Sequence, residues 1–536
     1  MSKKLNYAAA QVHTPQNLKA REDQVENSAG GFVWQIDKWQ QLRRFLLIGC
    51  EGGTFYVKEA DLTKRNILSV EACIKEDFNR VISMIVEVSD GGLAHKNEPA
   101  LFALASCCAV KDSNKRVTSE ILNKVVRTGT HLLTFVDYIN TLRGWGQGMM
   151  ALVRSWYTSK GLEKLAYQVV KYQDRGGWSH RDVLRSIHLT PPNDLYSTLF
   201  KWITNRDAFL DEEKHPIKTT IQTVDAFMQA HYGDVSEKQL INLIHDFHLT
   251  HEMIPTQFKK SKQVWDILVQ EMPLTALIRN LAPITNVGLL TASNFDLIGL
   301  INKKLSDQNY LKQSRIHPIS ILFALKTYSS GHGVKGSLTW TPVQKVIDIL
   351  NEAFYLSFSV VEPTHKKLHL GIDISGSMSY TTIANSFVSC AEVAAALSLV
   401  TAKVEPKCAI FGFSHKYTPL PISPNLRMDA VLSRMKKLAF GGTDCALPMI
   451  YAQRNKEYYD TFIIYTDSET WFGKIHPFEA LKDYRRTINP EARLVVVGMT
   501  SLGFTIADPT DKGTLDVVGF DPSVPVVINQ FITGAI

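Results

Sequence analysis

The chain reads as a multi-domain protein: an all-α array of helical repeats followed by a doubly wound α/β domain. Two observations predict this. Through the first two thirds, apolar residues recur at helical spacing with short loops and no strands between them. From Leu368 onward, short apolar runs alternate with amphipathic helices, the pattern of parallel strands covered on both faces.

In "WGQGMMALVRSWY" the large residues Trp145, Met149, Leu152, Val153 and Trp156 share one helical stripe. "LEKLAYQVVKYQD" repeats the pattern with Leu162, Leu165, Ala166, Val169 and Val170. No fixed repeat length emerges, so an irregular HEAT-like array is expected rather than a regular tetratricopeptide one. A Gly- and Ser-rich break, "SSGHGVKGSLTWTP", spans residues 329–342, and one more helix, "VQKVIDILNEAFYLSFSV", follows it. Residues 1–362 are therefore expected to form the helical part and 363–536 the α/β part. In the latter, "LHLGIDIS", "KCAIFGFS", "DTFIIYTDS" and "ARLVVVGMT" read as strands, with a helix carrying Ile383, Phe387, Ala391 and Ala394 after the first.

At 536 residues and 45% hydrophobic, the chain can bury large cores. No stretch approaches the roughly 20 apolar residues that span a bilayer, and the start of the chain lacks the apolar core of a signal peptide. Seven cysteines (Cys50, Cys73, Cys107, Cys108, Cys390, Cys408 and Cys445) include no C-x-x-C pair. They suit neither a disulfide framework nor a zinc knuckle, and a reducing compartment is expected: cytoplasmic, with a nuclear pool. The net charge of +7 is modest but uneven, with ten Lys/Arg against four Asp/Glu between residues 121 and 190. That segment is the natural partner for an acidic ligand, nucleic acid first.

Ligands of a doubly wound sheet sit at the carboxyl ends of its strands. Asp373, Ser375 and Ser377 follow the first predicted strand, Thr443 lies in the glycine loop "FGGTDC", and Asp467 ends the strand "TFIIYTD". Carboxylates and hydroxyls without Cys or His favour Mg²⁺, then Ca²⁺ or Mn²⁺, over zinc. Enzyme readings of the same residues fare worse. An aspartyl-phosphate phosphatase wants a second acid where Ser375 stands, the hydrolase elbow G-x-S-x-G is absent, and no general base stands beside the cation. A non-enzymatic binder is expected.

Two other motifs are misleading. "GHGVKG", Gly331 to Gly336, fits a dinucleotide loop but follows a helix rather than a strand. His245, His248 and His251 recur every three residues, yet Pro255 stands where a zincin helix needs a histidine.

The basic segment "VVKYQDRGGWSHRDVLRSIHLTPP" places Lys171 and Arg175 four apart near a helix end, with Gly176 and Gly177 stopping that helix. Ser179 and Asp182 then start another, on which Arg181, Arg185 and His188 recur at i, i+4 and i+7. Such spacing suits successive phosphates, and Trp178 or His188 could stack on an unpaired base. Trp178 could equally pin the turn as a core residue, and a basic face that binds nothing is the bland alternative.

The metal set resembles the metal-ion-dependent adhesion site of von Willebrand factor A domains, D-x-S-x-S with a distant Thr and a distant Asp. That likeness implies a cation anchored by Asp373, hydroxyl oxygens from Ser375, Ser377 and Thr443, and Asp467 acting directly or through water. A partner's carboxylate would complete the shell. Together with "LRGWGQG", "GWSHRDVLRSIHL", "HLTHEMIP", "MPLTALIRNL", "YSSGHGVKGSLTW", "GGTDCALPMI" and "GFTIADP", the whole chain resembles the Ro ribonucleoprotein autoantigen family, in which a TROVE domain precedes an A domain.

The resemblance implies helical repeats closed into a ring with a basic central hole. It implies small non-coding Y RNAs on the outer surface, and misfolded non-coding RNAs whose single-stranded 3′ ends enter the hole, hence RNA quality control. Lys171, Arg175 and His188 fall where the family's RNA-contacting residues lie, with Arg181 and Arg185 as neighbours. One departure is Gln147, where the family leads us to expect a basic residue. The alternative is a protein-interaction scaffold whose basic patch is incidental.

Overall fold

The computed structural model describes residues 13–50, 53–54, 57–110, 117–314, 316–333, 337–358, 363–383, 387–420, 422–423, 426–435, 437, 441–521 and 523–535. By packing, residues 1–44, 50–66 and 359–536 form one unit and residues 45–49 and 67–358 another. The N-terminal residues through Arg44 thus group with the α/β part and not with the helices they precede. Near the N-terminus, β1 (Val25–Glu26) and β2 (Phe32–Gln35) pair antiparallel.

The second unit is built from packed helices. Glu98–Ala109 lies against Gly129–Leu142, Leu162–Lys171 against Gln222–Tyr232, and Pro318–Ser330 against Gln344–Leu356. The expected stripes point inward: Met149, Val153 and Trp156 are buried on Gln147–Thr158, and Leu165, Ala166, Val169 and Val170 on Leu162–Lys171. Each such Val or Leu contributes roughly 1.5–3 kcal/mol. Trp145 precedes its helix instead of lying on it.

The basic segment departs from expectation. Its first helix ends at Lys171, and the chain continues into a hairpin of β3 (Asp174–Arg175) and β4 (Trp178–Ser179). Gly176 (φ 59°) and Gly177 (φ 81°) form its two-residue turn, a backbone that glycine adopts without a Cβ clash and that matches strand twist. Lys171 and Arg175 therefore do not share a helix. The next helix, His180–Ile187, starts at a reciprocal Ser179–Asp182 capping box and ends with His188 in the left-handed region (φ 46°), a cap and not an i+7 helical position. Gly331, φ 74°, caps Pro318–Ser330, while residues 334–336 of "GHGVKG" lie outside the described residues.

In the first unit, β5 (Leu368–Asp373), β6 (Cys408–Phe413), β7 (Tyr417–Pro419), β8 (Thr461–Thr466), β9 (Arg493–Gly498) and β11 (Thr514–Val518) form a sheet ordered β11-β9-β8-β5-β6-β7. All neighbours are parallel except β6 and β7. The four strands expected from sequence are β5, β6, β8 and β9. Every residue of β5 and β8 is buried, as a sheet covered on both faces requires. Phe462 and Ile464 pack with Met449, Leu481 and Tyr484 on one face. On the other, the Tyr465 hydroxyl meets Thr401 of the helix Cys390–Val404. That helix starts at a Ser389–Glu392 capping box, so Ile383 and Phe387 precede it, contrary to the periodicity reading.

A short strand β10 (Phe504–Thr505) pairs with β2, tying the N-terminal segment to this unit. Arg44 is fully buried there: its guanidinium donates to both oxygens of Asp516 at 2.8 Å and to the Leu502 and Phe504 carbonyls at 3.0 Å. A buried charge is tolerated because it is paired in this way.

Candidate metal centre and basic surface

The chain leaves β5 towards β6 on one side and later enters β8 on the other, so β5 is the switch point of the sheet. Asp373 ends β5. Its Oδ1 accepts the Ser375 backbone N–H at 2.9 Å, and its Oδ2 accepts the Thr466 hydroxyl at 2.7 Å. The Ser375 and Ser377 hydroxyl oxygens stand 3.1 Å apart. Two further loops close on this one. Gly376 N–H donates to Gly441 O at 3.4 Å, and the Trp471 and Phe472 N–H groups donate to Thr443 O at 3.1 and 3.0 Å. Asp373, Ser375, Ser377, Thr443 and Asp467 are all buried.

The donor set fits a hard divalent cation. Thr443 Oγ1 and Asp467 Oδ2 are buried without hydrogen-bond partners, and leaving such groups unpaired is expensive. Burial, and then the Asp467 carboxylate, push Asp373 up to about 7; burial raises Asp467 as well, opposed by the Ser377 hydroxyl. Two carboxylates held together out of water call for a positive charge between them. Among the described residues there is no group of three or more His, Cys, Asp or Glu arranged for a metal, which sets this hydroxyl-rich pair apart from a zinc site. His245, His248 and His251 disperse to Asp246, Glu271 and Glu252 at 2.9, 2.6 and 3.0 Å.

The sequence reading missed the surroundings of Asp467. Thr466, adjacent to it in "YTDSET", holds Asp373, and its position at a strand end was a usable signal. Glu469 is buried and pushed up to about 8 by burial and by Asp467; Ala29 N–H donates to its Oε2 at 2.9 Å. The Asn27 amide donates to Ser468 O and Thr470 O at 3.2 and 2.9 Å, and Gln16 donates to Asp444 Oδ1 at 2.7 Å. At Gly31 a Cβ would stand 1.8 Å from Thr470 O, so only glycine allows this approach. The N-terminal segment thus clamps the loops that carry Thr443 and Asp467.

In the helical unit, Arg175, Arg181, Arg185 and His188 are exposed, while Val183, Leu184 and Ile187 face the core. Trp178 pairs across the hairpin with Arg175 and meets the Trp145 ring edge-on at 6.1 Å. It is half-buried, so it pins the turn and still shows a face. Lys171 differs from the others. Its side chain is only 9% exposed, donates to the Tyr167 hydroxyl at 3.3 Å and lies 4.0 Å from Glu252. It lines a pocket of about 310 Å³ with His248 and His251, whereas Arg181 lines another with Arg206. Gln147 is exposed at the first position of its helix.

The TROVE domain family matches residues 25–249 and 246–327, and the Ro60 vWA domain family matches residues 367–532. The chain is 34% identical to the RNA-binding protein RO60 of Caenorhabditis elegans over 97% of this chain and 91% of that one. It is also 34% identical to the RNA-binding protein RO60 of Deinococcus radiodurans, over the full length of both. The crystal structure of the Deinococcus radiodurans RO (RSR) protein superposes with a TM-score of 0.67 at 32% identity, covering 93% of this chain and all of that one. With both domains matched in order, and relatives alike from end to end, this chain belongs to the Ro60 family, a TROVE domain followed by a von Willebrand factor A domain.

Proposed function

We propose that this protein is a non-enzymatic RNA-binding subunit of ribonucleoproteins. One observation carries the reading: within the TROVE-matched part, Arg175, Arg181, Arg185 and His188 stand exposed on a glycine-turned hairpin and the capped helix after it. Guanidinium groups fixed on rigid elements suit successive phosphates, and the half-buried Trp178 offers a stacking face. The names of the two full-length relatives agree with it. The RNAs we propose are Y RNAs on the outer surface, and misfolded small RNAs whose single-stranded 3′ ends enter the central hole of a ring, a quality-control role in the cytoplasm with a nuclear pool.

For the A domain, Asp373, Ser375, Ser377, Thr443 and Asp467 would hold one divalent cation, Mg²⁺ before Ca²⁺ or Mn²⁺. When bound, the ion supplies a positive position for a partner's carboxylate. The loops tied by Thr466, Asn27 and Gln16 hold the donors ready.

Purified protein should carry nuclease-sensitive material absorbing at the nucleic-acid maximum, and should bind a structured RNA with a single-stranded 3′ tail. Replacing the exposed Arg175 with Ala should weaken that binding by about tenfold or more, since a charged contact is worth roughly 1.5–3 kcal/mol. Equal affinity of wild type and variant would move the RNA site elsewhere. A nuclease-insensitive protein partner with no bound RNA would favour the scaffold.

A further inference from the structure

Next to the exposed basic face, and sharing Arg181 with it, lies a pocket that phosphate binding alone does not require. The pocket, of about 370 Å³, opens between the hairpin and the start of the chain after helix Asp194–Thr204; its walls include Ser179, Arg181, Trp202, Asn205, Arg206 and Asp207. This volume is at the small end of the range of about 300–1,000 Å³ typical of ligand pockets. Trp202 is 1% exposed, and its indole N–H is buried without an acceptor.

The lining says what kind of ligand. Arg206 lies over the Trp202 ring at 4.6 Å and donates to the Gln173 side-chain oxygen at 3.1 Å, so its planar guanidinium is held as a platform. The pocket is not a simple anion hole, because the carboxylates of Asp174 and Asp207 line it along with the two arginines. Balanced donors and acceptors around a flat cationic platform suit the polar edge of a base. Guanine fits best, since it offers adjacent N–H donors to a carboxylate and the O6 and N7 acceptors to a guanidinium.

We infer that this pocket receives one unpaired guanine of the bound RNA, stacked on Arg206 while the backbone is held by the exposed arginines of the hairpin and helix. The inference rests on the RNA-binding reading and adds base selectivity to it. Arg206 and Asn205 become specificity residues that charge patterning alone does not single out.

The test uses the full chain and a structured RNA whose 3′ tail carries 6-thioguanosine at successive positions. Photocrosslinks mapped by mass spectrometry are expected on residues 173–181 and 202–207. Arg206→Gln and, separately, the exposed-site change Asn205→Ala should lower them at least fivefold, with the melting temperature confirming the fold. Guanosine monophosphate should perturb the pocket in saturation-transfer spectra where inorganic phosphate and uridine monophosphate do not. RNA that binds wild type but crosslinks only elsewhere would overturn the pocket and leave the RNA reading standing. Equal perturbation by inorganic phosphate would overturn the base assignment, and failure of wild type to bind RNA would sink the underlying reading itself.

Discussion

Asp373 and Asp467 share a buried space with three hydroxyl-bearing residues, and the chemistry of the A domain follows from that confinement. Two carboxylates out of water oppose folding unless a cation joins them. The wild-type protein should gain about 2.7 kcal/mol when Mg²⁺ is raised to about 100 times its dissociation constant. Asp373→Asn should gain nothing, because the amide removes the charge that anchors the ion and turns one of two hydrogen-bond acceptors into a donor. Thermal unfolding with and without Mg²⁺ checks both arms. In the helical unit His180 makes a separate point. Burial lowers its pKa from 6.5 to about 4, and its Nδ1 sits 2.7 Å from the Tyr157 hydroxyl. The unfolded chain takes up the proton first, so stability is complete above pH 6.5 and is lost as pH falls towards about 4. At pH 5 the loss is on the order of 1–2 kcal/mol. Urea unfolding of His180→Gln should show a smaller drop between pH 7 and pH 5 than wild type, and an equal drop would assign the slope to other groups.

At the scale of elements, the hairpin decides how the basic residues are presented. Gly176 and Gly177 both have positive φ, where a side chain costs roughly 1–2 kcal/mol. Replacing both with Ala should lower stability by about that much per position and loosen RNA binding several-fold, because Arg175 and Trp178 would lose their register. Unchanged unfolding midpoints would contradict the turn's role. The sequence showed the glycine pair but not the hairpin, since two-residue strands are too short to display alternation. The same limit hid β1 and β10, and the four residues of β2, Phe-Val-Trp-Gln, do not alternate. By contrast β5, β6, β8 and β9 were legible, because strands buried on both faces leave continuous apolar runs.

For the whole molecule, the order of a helical array followed by a doubly wound α/β domain was legible from texture alone, whereas the A domain itself came from the resemblance of its D-x-S-x-S set. Of the five candidate ligands, Asp373 ends β5 and Asp467 follows β8, while Thr443 stands in a loop that only the fold brings near them. The clamp of Gln16, Asn27 and Gly31 on loops more than 400 residues away was not: no local periodicity marks it, and only the fold brings the segments together. The placement of Lys171 was half legible, since its charge was plain but its burial against Tyr167 and Glu252 was not. The reading that joins these levels is RNA binding through the exposed arginines. It is tested most directly by titrating a structured, 3′-tailed RNA into the protein at rising salt. The expected result is a linear fall of log affinity with log salt, with a slope reduced by about one for each of Arg175, Arg181 and Arg185 replaced by Gln. Binding that ignores salt, or a slope that none of the three replacements changes, would contradict it.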